Sequence, residues 1–144
     1  MDAGSRIGPL AAPASGGVPW TRATLVWMLM MLLETGNGYV RELFVAPELG
    51  ALRARQLGLL VGSALVLLTA WACSAWLRAD TPRKQLIIGG YWVALTLIFE
   101  FALGRAMGES WTSLLTDYNP LRGGYMLVGL LVLFAAPWLT RRGR

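Results

Sequence analysis

The sequence predicts an all-α fold, a four-transmembrane-helix antiparallel membrane bundle, and three observations carry that prediction. Of 144 residues, 56% are hydrophobic and 15% charged, against about 25% charged in an ordinary soluble domain. The apolar residues gather into four long runs instead of recurring at period 2 or 3.6, and roughly 20 residues rising 1.5 Å each cross ~30 Å of hydrocarbon. The segments between the runs are short and polar, with Pro or Gly in them.

The runs place helices at about 23–43, 57–77, 85–103 and 124–140, within a transmembrane domain of 23–140. The second run has no charged residue at all. In lipid each segment must satisfy its own backbone hydrogen bonds, so the spans are helices; they are also too long, and too little alternating, for barrel strands. Linkers at 44–56, 78–84 and 104–122 make sequential helices antiparallel neighbours. In the last linker, Ser110 or Glu109 can start a short amphipathic helix with Trp111, Leu114 and Leu115 on one side.

Residues 1–22, rich in Gly, Ala, Pro and Ser, read as a flexible cytoplasmic tail, and 141–144 as a basic C-terminal tail. A signal peptide is the competing reading of the N-terminus. The first apolar run, however, begins only at Ala23 and meets Glu34-Thr35-Gly36-Asn37 without an Ala-x-Ala site, so the first helix is expected to be retained. Eight Lys and Arg fall on the side of the tails and second linker, and five on the other. That asymmetry predicts cytoplasmic N- and C-termini in a bacterial inner membrane. Trp20, Trp76, Trp92 and Trp138 fall near helix ends, where amphipathic rings prefer to sit.

The net charge of +5 is carried largely at the ends of apolar runs. It therefore points to anionic lipids of the bilayer as partners and not to nucleic acid, for which no recognition motif is present. There is no histidine, and the single cysteine, Cys73, lies within an apolar run, so no metal site and no cofactor is expected. No P-loop, dinucleotide fingerprint or nucleophile elbow occurs, so no catalytic residue is assigned.

Two carboxylates lie inside apolar runs. Glu34 is 11 residues into the first helix, roughly 16 Å by helical rise, and Glu100 falls in the outer half of the third. An ionisable residue at such depth costs ~2.5–3.5 kcal/mol on insertion scales and is a functional hypothesis by default. Glu34, Asn37, Gly38 and Arg41 follow a helical spacing that makes one polar stripe. Thr96, Glu100 and Gly104 repeat every four residues, with Arg105 beyond. Glu34, Asn37, Arg41, Glu100 and Arg105 are therefore the candidate substrate- or ion-binding residues, with Glu42, Asp117, Tyr118 and Arg122 as a loop cluster above them. The competing reading is a structural ion-pair network that fixes helix register. Gly58-x-x-x-Gly62 reads as a helix-packing motif, and Gly36-Asn37-Gly38 as a place where the first helix could unwind.

The segments GNGYVRELFVAPELGALRARQ (36–56) and FEFALGRAMGESWTSLLTDYNPLRGG (99–124) resemble an uncharacterised family of small bacterial four-helix membrane proteins. The resemblance covers roughly residues 24–139. It rests on Asn37, Gly38, Arg41 and Glu42, on Phe99, Glu100, Phe101, Gly104 and Arg105, and on Asp117, Tyr118 and Gly123. It implies the architecture and marks these polar residues without implying a reaction. The sequence does not resemble the small multidrug exporters or the dimeric fluoride channels. The leading expectation is a small transport or permeation protein, acting as a homo-oligomer or within a larger membrane complex. The alternative is a non-transporting accessory or lipid-binding subunit.

Overall fold

The computed structural model describes residues 16–119, 121 and 124–142, and among them there are only helices and connecting turns, with no strand. Helix α1 spans Trp20–Val40 and runs on through a π-helical segment, Arg41–Val45, into α2, Ala46–Leu49. Then follow α3 (Ala51–Leu77), α4 (Pro82–Ala106), α5 (Trp111–Thr116) and α6 (Met126–Leu139). The N-terminal tail expected at 1–22 lies outside the described residues up to residue 15, and α1 starts three residues earlier than the apolar run. Of the C-terminal tail, 143–144 lie outside the described residues.

The expected unwinding at Gly36-Asn37-Gly38 does not occur. The carbonyls of Asn37 and Gly38 both accept from the Arg41 backbone N–H, so the helix passes through both glycines. The disturbance comes later and has a different cause. Pro47 has no N–H to give the carbonyl four residues back, and the chain widens just before it, the Ala46 N–H bonding to the Arg41 carbonyl. The linker expected at 44–56 is therefore almost wholly helical, interrupted only at Gly50, whose φ of 84° suits glycine. At the start of α4, Thr81 accepts a hydrogen bond from Lys84 N at 3.2 Å, and Pro82 occupies the first turn, where its missing N–H costs nothing.

Among the described residues, two helices, α3 and α4, are long and apolar enough to cross a membrane. Helix α6 is apolar but has 14 residues, and α1 carries its polar stripe. All four nevertheless turn large apolar side chains outward. Leu32 is 70% exposed, Leu60 68%, Ile98 67% and Leu131 61%, one on each helix.

Helix α1 packs on α3, α3 on α6, α6 on α4, and α4 meets α1 along a thinner seam. Although only residues 78–81 join them, α3 and α4 are not neighbours; α6 stands between them. The expectation that sequential helices are adjacent thus holds for α1/α3 and α4/α6 and fails for α3/α4. A short loop brings two helix ends together but leaves their flanks free to pack elsewhere. Helices α4 and α6 approach each other closely at Gly89, where a Cβ would overlap the Phe134 carbonyl.

The core fills one end of the bundle. Met30, Ile88 and Trp92 are its largest fully buried side chains, and Trp92 Nε1 donates to the Ala23 carbonyl at 2.8 Å. The α1–α4 seam is aromatic and polar. Trp20 meets Tyr91 edge-on, Thr24 and Tyr91 share a hydroxyl hydrogen bond of 2.8 Å, and Trp27 Nε1 donates to Thr96 Oγ1 at 2.9 Å. Trp27 also meets Phe99 edge-on, with ring centroids 6.0 Å apart.

Candidate functional site

Past Phe99 the bundle encloses a cavity of about 490 Å³. It lies among the C-terminal halves of α1 and α4 and the N-terminal ends of α3 and α6, at the end away from the core. The α1 stripe forms one wall, and glycines make room for it. A Cβ on Gly58 would lie 2.8 Å from Arg41 Cδ, and one on Gly62 would lie 2.7 Å from Glu34 Oε2. Asn37 Nδ2 donates to the Gly58 carbonyl at 3.2 Å. Glycines that read as a motif for bringing backbones together therefore accommodate polar side chains.

Glu34 is half-buried; its Oε1 is buried with no hydrogen-bond partner among the described residues, while the Asn37 side chain lies close enough to the carboxylate to hydrogen-bond it. Arg41 does not close on it. The guanidinium turns to Glu42 instead, with Nε 3.2 Å and Nη2 3.0 Å from Oε1. Glu100 faces the same cavity from α4, within the fields of Asp117, Glu109 and Glu34, and makes no ion pair or hydrogen bond among the described residues.

The structure brings Glu34, Asn37, Arg41 and Glu100 to one cavity, with Glu42 and Asp117 at its exposed rim. Arg105 is not among its lining residues. Its Nη1 donates to the Glu109 carbonyl at 2.8 Å, and the guanidinium lies 5.2 Å from the centre of the Trp111 ring. The reason is helical phase: five residues at 100° each set Arg105 about 140° away from Glu100. Neither Glu34 nor Glu100 is paired with Arg41 or Arg105 among the described residues; the ion pair in this cluster is Arg41 with Glu42. Arg122 lies outside them.

Tyr118 stacks on Phe101 with centroids 5.7 Å apart, and its hydroxyl is buried without a partner among the described residues. It shares a small side pocket with Glu100 and Asp117. Burial, with the neighbouring Glu100 and Asp117 carboxylates, pushes the phenol above its ordinary pKa. Helix α5 starts at Ser110, whose hydroxyl accepts from Ser113 N at 3.1 Å, and seats Leu114 against Gly104.

Sequence reasoning missed Arg55, which also lines the cavity. Hydropathy assigns it to the 44–56 linker, yet Arg55, Gly58 and Gly62 are spaced i, i+3 and i+7, one face of a helix that begins at Ala51. The lining holds four carboxylates and two guanidiniums, an excess of negative charge. No group of three or more His, Cys, Asp or Glu is placed to hold a metal ion among the described residues. Comparisons with protein-family models, with curated proteins and with solved structures give no match.

Proposed function

We propose that this chain is a four-span protein of a bacterial cytoplasmic membrane, termini inside, whose outer-half cavity takes up a small cation or a proton for transport. One observation carries the reading. Two carboxylates from different helices, Glu34 and Glu100, face a shared cavity with a solvent-exposed rim, and neither is in an ion pair among the described residues. A half-buried carboxylate with no counter-charge paired to it is costly to keep charged. A cation or a proton removes that cost, which is the basis of selective uptake.

The outward apolar residues on α1, α3, α4 and α6 support four spans: such surface on every flank suits lipid and not water. Glu34 and the Asn37–Arg41 stripe face inward, which lets α1 cross despite its polarity. Met30, Ile88 and Trp92 plug the bundle beneath the cavity, so passage to the other side requires a second conformation or a second copy of the chain. The lower wall of the cavity, with Val66, Leu130 and Leu133, is apolar. That favours one alternative, a non-transporting subunit that holds a lipid there.

The test is flux in proteoliposomes under imposed gradients of protons, alkali cations and small amines, with Glu34→Gln and Glu100→Gln beside the wild type. The reading expects flux that both variants lose while remaining folded. Absence of flux under every gradient, with no small cation raising thermal stability, defeats it and leaves the lipid-holding subunit.

A further inference from the structure

The two ends of the bundle carry opposite charge. At the cavity end the described residues hold six carboxylates and four arginines. At the other end they hold Arg22, Arg78, Arg83, Lys84, Arg141 and Arg142 against Asp80, which pairs with Lys84 at 2.8 Å. Three of these arginines lie over tryptophan rings. Arg22 is 5.4 Å from the centre of Trp76, Arg141 5.7 Å from Trp138, and Arg142 4.5 Å from Trp71. Arg22 also donates from Nη1 to the Trp76 carbonyl at 2.7 Å. The three rings are 51%, 47% and 43% exposed for Trp71, Trp76 and Trp138.

We infer that this end is a docking surface for the phosphates of anionic phospholipids in the adjoining leaflet. The inference rests on the membrane-spanning reading above. A tryptophan at a helix end sits at headgroup depth. A guanidinium over such a ring is held near that depth, Trp71 lying six residues in from the end of α3, and apart from Arg22 Nη1, which donates to the Trp76 carbonyl, the N–H edges of these three arginines make no hydrogen bond among the described residues. Those edges match two phosphate oxygens at once. Six basic side chains stand against the single carboxylate described at this end, Asp80, so among the described residues the positive charge there is in excess. The complementary partner is a surface of negative charge at the same depth, which anionic headgroups supply.

The experiment uses the full chain in vesicles of zwitterionic lipid, with either zwitterionic or anionic lipid added in brominated form, and reads quenching of tryptophan fluorescence. Co-flotation with the vesicles is measured first; failure to float would refute the spanning reading itself. In floated protein the brominated anionic lipid is expected to quench several-fold more effectively than the brominated zwitterionic lipid at low salt. The preference is expected to collapse near 1 M salt, where screening acts within about 3 Å. Arg22→Gln with Arg142→Gln should remove most of the preference, at about fivefold per arginine, the equivalent of about 1 kcal/mol each. Arg53→Gln, at the opposite end, should leave it unchanged. Should the double variant misfold, Arg142→Gln alone serves, because Arg142 is exposed beyond α6 and outside the core. Equal quenching by both lipids at low salt, or a full preference in the folded Gln variants, overturns the inference.

Discussion

Glu34 of α1 and Gly62 of α3 meet so closely that a methyl group on Gly62 would lie 2.7 Å from the Glu34 carboxylate. The obstructing atom is the far end of a flexible side chain. Gly62→Ala is therefore expected to displace the carboxylate at little cost in stability and, under the proposed function, to impair cation uptake while the thermal midpoint holds. Gly36 has open space around it, and Gly36→Ala is expected to raise stability by about 0.5–1 kcal/mol through the backbone entropy of the unfolded chain. Thermal unfolding in detergent beside flux checks both.

Gly89 presents the opposite case. A Cβ there meets the Phe134 backbone carbonyl, which cannot swing aside. Gly89→Ala is expected to destabilise by about 1–3 kcal/mol or more, as overpacking does. At Gly90 the nearest obstacle is the Phe134 ring at 3.9 Å, an ordinary contact, so Gly90→Ala should be nearly neutral. Similar losses from both would refute the tight α4–α6 crossing.

Glu100 and Arg105 are not partners, and stability measurements can show it. Breaking a buried ion pair typically costs ~3–5 kcal/mol. Because Arg105 already bonds Glu109 and covers Trp111, Glu100→Gln is expected to change stability by less than about 1 kcal/mol, in the range of ordinary surface changes. Adding Arg105→Gln should rescue nothing. A large loss restored by the double change would establish a structural pair instead.

Tyr118 should titrate late. Its folded-state pKa is raised, so its contribution to stability is fully present below the ordinary phenol pKa and is lost as pH rises through the folded value. In an ultraviolet phenolate titration, Tyr118→Phe is expected to remove the last-ionising component. An unchanged high-pH limb in the variant would contradict the buried hydroxyl.

Topology can be read with single cysteines placed at Arg83 and Ser113 after Cys73→Ser. They are expected to label from opposite faces, Arg83 from the cytoplasm. Labelling from one face removes the four-span reading; reversed faces overturn only the orientation.

The positions of the long helices were legible because apolar runs report them directly. Their ends were less so, since α3 extends six residues before its apolar run and carries Arg55 into the site. A helix needs only its own hydrogen bonds to continue, and those leave no mark in hydropathy. The α1 stripe was legible from spacing alone. Its seat on Gly58 and Gly62 was not, because nothing in one strip of sequence tells which other strip it faces. Arg105 looked like a partner by proximity in sequence, but five residues is the wrong phase. The placement of α6 between α3 and α4 depends on surface complementarity, which loop length does not encode.

Helix α6 has 14 residues, which rise about 21 Å. A typical hydrocarbon slab is ~30 Å thick, so a spanning α6 is mismatched to it. Either the bilayer dimples beside α6 or the chain around Tyr125 dips below the headgroups. Both would draw water toward the cavity wall that α6 shares with Glu100, and both would thin the low-dielectric layer along that flank. Thick, sterol-like bilayers should therefore strain this protein at one flank, and thin ones should suit it.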